Sequence, residues 1–283
     1  MKGNTSKGRW IGFGLVGALA VTATAVTVVF SGQHPAGAVD ARPAATKAPL
    51  FTGVWAPGSG SQVWRTKMSA TSLSTWDRTY VGKSLRIQDL RVSPGGTDYT
   101  AVWRPGTGTQ VVKLGLTSSQ FVADNASYAK KGLKLTSLDT SHSITAVWRP
   151  RASGTPAQTV VVRLTTAHFQ SRLQTLAKAG LRPAFADYYK KSGVANWIGV
   201  FEHGSGSAEV RTTSSATVWH NDVAGYYKDG LRLAGLGSTL YTGVWRPGKG
   251  GQQVWTATQS TFENDIAKYY HEGYRLVRIG STF

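Results

Sequence analysis

A short string recurs five times along this 283-residue chain: Phe51-Thr-Gly-Val-Trp55, Tyr99-Thr-Ala-Val-Trp103, Ile144-Thr-Ala-Val-Trp148, Trp197-Ile-Gly-Val-Phe201 and Tyr241-Thr-Gly-Val-Trp245. Its closing aromatic positions are 48, 45, 53 and 44 residues apart. Self-similarity at that period restricts the chain to a repeat architecture, in which one supersecondary unit cannot bury its apolar face without a neighbour.

A turn follows each string, as at Pro57-Gly58, Pro105-Gly106 and Pro247-Gly248, and then a second apolar run such as Gln62-Val-Trp64 or Gln253-Val-Trp255. Two extended runs around such a turn read as a hairpin. A Ser/Thr-rich start then opens a helical stretch, and Ser260-Thr-Phe-Glu263 has the form of a capping box. Phe121 and Tyr128, Phe169 and Leu176, Trp219 and Tyr226, and Phe262 and Tyr269 are seven apart, hence on one helix face, and are expected in the core. Ser84, Gly132, Gly180, Gly230 and Gly273 are placed to end the helices in a left-handed conformation. A third strand follows, from Leu85-Arg-Ile87 in the first unit to Tyr274-Arg-Leu276 in the last.

Alternation along the first strand separates two faces. One carries the aromatics with a small residue between them (Gly53, Ala101, Ala146, Gly199, Gly243), which predicts a helix packed close over that position. The other carries Val54, Val102, Val147, Val200 and Val244.

The expected fold class is α+β, with five strand-strand-helix-strand repeats at 51–98, 99–143, 144–196, 197–240 and 241–283. The last strand has no following partner and the first run no preceding one. Pairing them would close the array as a five-bladed, propeller-like α/β ring without exposed edges. An open repeat array, which normally needs polar capping units, is the alternative.

Ahead of the repeats, Lys2, Lys7 and Arg9 precede an uncharged run from Trp10 to Phe30, followed by Ala36-Gly37-Ala38. Residues 1–38 read as an export signal peptide, or as a signal anchor, because the run at 10–30 is long enough to hold the chain to a membrane. Either way the repeats, joined by an Ala/Pro-rich linker at 39–50, are expected outside the cell, secreted or membrane-anchored. Without the leader the chain keeps 29 basic and 14 acidic residues, a net +15. That charge favours anionic partners such as a cell-wall polymer, an acidic polysaccharide or a peptide. Nucleic acid is disfavoured, since export precedes any encounter with the genome and no recognised motif is present. The absence of cysteine excludes disulfide scaffolds, thiolate metal sites and cysteine nucleophiles.

The string Gly273-Tyr-Arg-Leu-Val277, the Thr-Gly-Val-Trp strand and the aromatic-spaced helix resemble the bacterial tandem repeat domain that also forms the N-terminal region of fungal polyglycine hydrolases. The resemblance covers all five units. In that family the repeats often accompany a serine hydrolase domain similar to β-lactamases, and the repeat region has no well-defined activity. The resemblance therefore implies an accessory or recognition module, with a glycine-rich peptide among its expected ligands; no second domain is expected beside the five units.

Catalytic patterns fail on their context. Ser127-Tyr-Ala-Lys130 fits Ser-x-x-Lys and Lys191-Ser192-Gly193 fits Lys-Ser/Thr-Gly, but the first is the last turn of a repeat helix and the second a loop. No complete catalytic motif is present; the alternatives to a binding module are an extracellular hydrolase with a site at the ring centre and a purely structural surface protein. Asp124, Asp222 and Asp265 share one helix position and read as exposed carboxylates favoured by the helix dipole. The six histidines fall at unlike positions, so no metal ligand set and no cofactor is expected.

The binding candidates are basic. Arg86, Lys134, Arg182, Arg232 and Arg275 occupy one place in all five third strands, and Arg104, Arg149 and Arg246 stand near the turn after the first strand. Closure would bring the five into a cationic ring that calls for an anion, whereas outward-facing strands would make them solvated edge charges.

Overall fold

The computed structural model describes residues 50–93, 95–191, 194–238 and 241–282. The leader and nearly all of the linker lie outside the described residues, as do Ser192 and Gly193. The first block gives β1 (Leu50–Pro57), β2 (Val63–Met68), α1 (Ala70–Gly82) and β3 (Leu85–Val92). The second gives β4 (Tyr99–Pro105), β5 (Val111–Leu116), α2 (Ser118–Lys130) and β6 (Leu133–Asp139). The third gives β7 (Ile144–Pro150), β8 (Thr159–Leu164), α3 (Thr166–Lys178) and β9 (Leu181–Lys191). The fourth gives β10 (Val194–His203), β11 (Glu209–Thr213), α4 (Ala216–Lys228) and β12 (Leu231–Leu236). The fifth gives β13 (Tyr241–Pro247), β14 (Gln253–Thr258), α5 (Gln259–His271) and β15 (Tyr274–Thr282).

The expected hairpins do not form. The strands pair as five three-stranded antiparallel sheets, β2-β4-β3, β5-β7-β6, β8-β10-β9, β11-β13-β12 and β14-β1-β15. The two runs flanking each Pro-Gly turn thus belong to different sheets, and the central strand of a sheet comes from the block after its helix. Pairing with β14 and β15 at the far end of the chain gives β1 its two partners.

The helices form as their sequences direct. Ser69, Thr117, Thr165 and Ser215 each accept a hydrogen bond from a backbone amide of the first turn. The capping box is at Thr117 and Gln120. The one expected at Ser260 is absent, because α5 already begins at Gln259, and Glu263 accepts from Thr66 of β2 at 2.7 Å instead. Every helix stops as expected, with Ser84 at φ 57° and Gly132, Gly180, Gly230 and Gly273 at 75–85°. The turn after each central strand is tied to this stop: Gly106 N donates to Ser84 O, Gly204 to Gly180, Gly248 to Gly230 and Gly58 to Gly273.

Each helix presses its aromatics onto its sheet. Phe121, Phe169, Trp219 and Phe262 are at most 1% exposed, and the indoles of Trp103, Trp148, Trp197 and Trp245 meet them or their neighbours. The small residue of the central strand has a more local cause than helix approach at two positions. A Cβ at Gly53 or Gly243 would fall 2.1 or 2.4 Å from the indole of Trp55 or Trp245 on the same strand. At Gly199 the helical Phe169 does come close, at 2.8 Å.

The valine face of each central strand packs on the preceding core. Val147 joins the cluster of Leu73 and Tyr80, Val200 that of Phe121, Val244 that of Phe169 and Val54 that of Trp219. Val102, with Trp64, joins the cluster of Phe262 in the last sheet.

Candidate functional site

Each third strand carries one extra residue against its central strand: Gln88, Thr136, Ala184, Ala234 and Val277 mark the shifts in register. A bulge reverses the alternation of faces. Ile87 and Leu90, three apart, are therefore both in the core, and Leu135 with Leu138 and Leu233 with Leu236 repeat the pattern. Beyond the bulge Asp89, Arg91, Asp139 and Asp187, all at most 2% exposed, turn the other way, toward neighbouring third strands.

These strands are sheet edges, so their buried backbone groups need partners. The charged side chains supply them. Arg91 donates to the carbonyls of Ile279, Leu138 and Leu236 on three other third strands and pairs with Asp89 at 3.1 Å. Asp89 accepts from Ile279 N at 2.7 Å and from Ser137 Oγ at 2.6 Å. Asp139 accepts from Val92 N and from Ser141 N and Oγ. Asp187 accepts from Thr140 Oγ1 and from Ser238 N and Oγ. Burial pushes Asp139 up to about 6 despite Arg91 and the Ser141 bonds, and pushes Asp187 up as well. Where side chains are lacking the strands close up: a Cβ at Gly235 would lie 2.5 Å from Ala184 O.

A 210 Å³ pocket opens beside this network. Four basic side chains, Arg91, Lys134, Arg149 and Arg278, and two acidic ones, Asp89 and Glu202, line it together with Gln88, Thr136, Ser137 and Gln158. Arg278 gives Nε to Ala234 O and Nη1 to Val277 O. Burial pulls its pKa down, Asp89 opposes that, and Arg91 adds to it; a guanidinium stays charged through such shifts.

Sequence reasoning missed Asp89, Arg91, Asp139, Asp187 and Arg278. Their signal is a charge set inside an otherwise apolar third strand, two to four residues past the repeated apolar pair. Of the basic candidates, Lys134 and Arg149 line the pocket.

The repeated third-strand cations have another task in four units. Arg86, Arg182, Arg232 and Arg275 each give Nη1 to a carbonyl in the last helical turn (Val81, Ala177, Tyr227, Tyr270). Nε goes to a loop carbonyl (Gly108, Gly206, Gly250, Gly60). This fixes the helix C-terminus, where a cation is also favoured by the dipole. Among the described residues, no hydrogen bond or ion pair joins these cations to one another. They meet the turn arginines instead. Arg86 lies opposite Arg104 and Lys134 opposite Arg149 in strand register, as Arg232 does opposite Arg246. Burial first, then Arg275, lowers the Arg104 pKa; burial and then Arg86 do the same to Arg149. Arg182 faces Glu202, which takes Lys134 at 3.4 Å and Arg246 at 3.8 Å.

The catalytic patterns stay apart from the pocket. Ser127 and Lys130 are exposed on α2. Asp222 pairs with Arg211 at 3.6 Å, and burial raises it and Asp265. Among the described residues no group of three or more His, Asp or Glu is placed to hold a metal ion.

Residues 155–204 match the family model described as polyglycine hydrolase-like, structural repeat. The repeat resembles that family's. The matched stretch contains β8, α3, β9 and β10, which are one helix and the three strands of one sheet. No curated protein matches the chain.

Proposed function

We propose that the chain is an exported, non-catalytic repeat module whose five units close head to tail and which recognises an anionic extracellular ligand at the pocket between its third strands. Closure is supported by the pairing of β1 with β14 and β15, and by Val102 and Trp64 in the last core cluster. Export rests on the leader at 1–38, and an extracellular setting agrees with the strongly cationic repeats at 51–283. The observation that carries ligand recognition is the excess of basic over acidic side chains in the pocket. In a recess partly closed to water such charges attract an anion more strongly than on open surface.

Retention of the purified chain on an immobilised acidic polysaccharide tests this. The expected result is binding that salt weakens and that Lys134→Gln with Arg149→Gln abolishes, at an unchanged melting temperature. Absence of binding at low salt, or binding indifferent to both substitutions, overturns it.

A further inference from the structure

Five cations stand side by side along one arc of the structure, without a gap. Lys134 faces Arg149 across β6 and β7. Arg149 meets Arg86 at Gly106, where a Cβ would lie 2.4 Å from Arg149 Nη2 and 3.2 Å from Arg86 Cγ. Arg86 faces Arg104 across β3 and β4. Arg104 meets Arg275 at Gly58, where a Cβ would lie 3.2 Å from both Arg104 Nη2 and Arg275 Cγ. The arc ends there, because Arg275 faces Ala56 across β15 and β1.

Like charges directly opposite on paired strands are destabilising. Among the described residues no acidic side chain pairs with Arg149, Arg86, Arg104 or Arg275. Arg86 and Arg275 are also held rigid, each by three backbone carbonyls. Among the described residues Arg104 has one hydrogen-bond contact, at 3.4 Å to Ser59 O, and its Nε is buried with no partner. Arg149 has no hydrogen bond or ion pair among the described residues. The arc thus combines fixed cations with uncommitted donors, an arrangement that lowers the ordering cost of binding.

The chain itself shows what fits between such cations. Glu202 stands where Arg104 and Arg149 stand in their units, and its carboxylate joins Lys134, Arg246 and Gln158. We propose, resting on the anion-binding reading above, that the arc from Lys134 to Arg275 is the track for a linear acidic polysaccharide, whose successive carboxylates lie between Arg149 and Arg86 and between Arg104 and Arg275. Guanidinium donors match carboxylates in bidentate geometry, and repetition along one chain raises the effective concentration of each further contact.

Calorimetric titration with uronic acid monomer, short oligomer and polygalacturonate, beside polyphosphate of matched charge, tests the proposal. Affinity is expected to rise with polyuronate length. Arg104→Gln, outside the pocket, weakens the polymer by about tenfold, while Arg246→Gln, whose arginine already has Glu202, changes it less than about twofold. Melting temperatures of both variants report that the fold is kept. Polymer binding that needs Lys134 and Arg149 but ignores Arg104→Gln overturns the track and leaves the pocket. Polyphosphate binding as tightly as polyuronate overturns the carboxylate assignment. No binding of any probe overturns the anion-binding reading itself.

Discussion

Pro183 and Ala208 occupy places that, in the four other units, are joined by a side-chain hydrogen bond to backbone. Leu276, Ile87, Leu135 and Leu233 give their amides to Gln62, Gln110, Gln158 and Gln252 at 2.7–2.9 Å. Pro183 stands in that strand position with no amide to give, and Ala208 stands where the glutamine would be. Donor and acceptor are lost together, so neither is left buried alone. Gln252→Ala breaks this match from one side, because Gln252 both accepts from Leu233 N and donates to Leu233 O. A loss of about 1–3 kcal/mol is expected in urea unfolding. Ala208→Gln, facing a proline, is expected to give no gain.

Removing Arg91 should be far more costly. Its guanidinium holds the carbonyls of three other third strands and the carboxylate of Asp89, all out of water. Arg91→Met leaves a buried charge and three carbonyls unanswered, with an expected loss of about 3–5 kcal/mol. Adding Asp89→Asn removes the stranded charge while keeping an amide oxygen for Ile279 N and a donor for the Ser137 hydroxyl, and should recover part of that loss. A double substitution less stable than Arg91→Met alone would show that the ion pair is not the source of the cost.

Asp139 gives stability a specific pH dependence. Its carboxyl is raised from 3.8 to about 6, first by burial, so the folded chain binds a proton more tightly than the unfolded chain does. The corresponding stability is complete below about pH 4 and is lost as pH rises through 6. The window holds about 3 kcal/mol, and Asp187, Asp222 and Asp265 shift in the same direction. A higher melting temperature at pH 4.5 than at pH 7 is expected (roughly the two sides of that window). Asp139→Asn, whose single amide oxygen can keep the Ser141 bonds while an N–H replaces the oxygen that Val92 N meets, lowers stability at every pH but should flatten the dependence; an unaltered profile would assign it to other groups.

Local elements were legible in the sequence because their causes are local. Seven-residue aromatic spacing placed the faces of α2 to α5, and Ser84 and the four glycines placed the helix ends. Strand pairing was not legible. A Pro-Gly turn can close a hairpin or pass the chain to the next sheet, and only long-range packing decides between them. The same limit shifted one alignment: Gln62-Val-Trp64 corresponds in register to Gln252-Gln253-Val254, not to the similar Gln253-Val-Trp255. Trp255 is consequently 51% exposed while Trp64 packs on the last core. Asp89 and Arg91 escaped notice because the bulge at Gln88 inverts the faces a regular strand would have. The repeated third-strand arginines were visible as a pattern, but their helix-end carbonyl partners follow only from the folded geometry.

The pairing of β1 with β14 and β15 yields the decisive test of closure. Strand β1 is the centre of its sheet, so a chain beginning at Ser59 would leave β14 and β15 without the strand between them. Gln62 would remain to hold Leu276, but Val54 would vanish from the Trp219 core and Trp55 from the Phe262 core. Both are fully buried, and deleting such side chains costs about 2–5 kcal/mol each. Two newly bared strand edges also invite pairing between chains. The truncated chain is therefore expected to lose cooperative unfolding and to elute as oligomers. A synthetic peptide of residues 50–57, added in excess, should return it to the elution volume of the intact chain by taking the place of β1. A truncated chain that elutes as the intact chain does and keeps its melting temperature would mean that the last sheet does not depend on the first strand, and that head-to-tail pairing is not what holds the five units together.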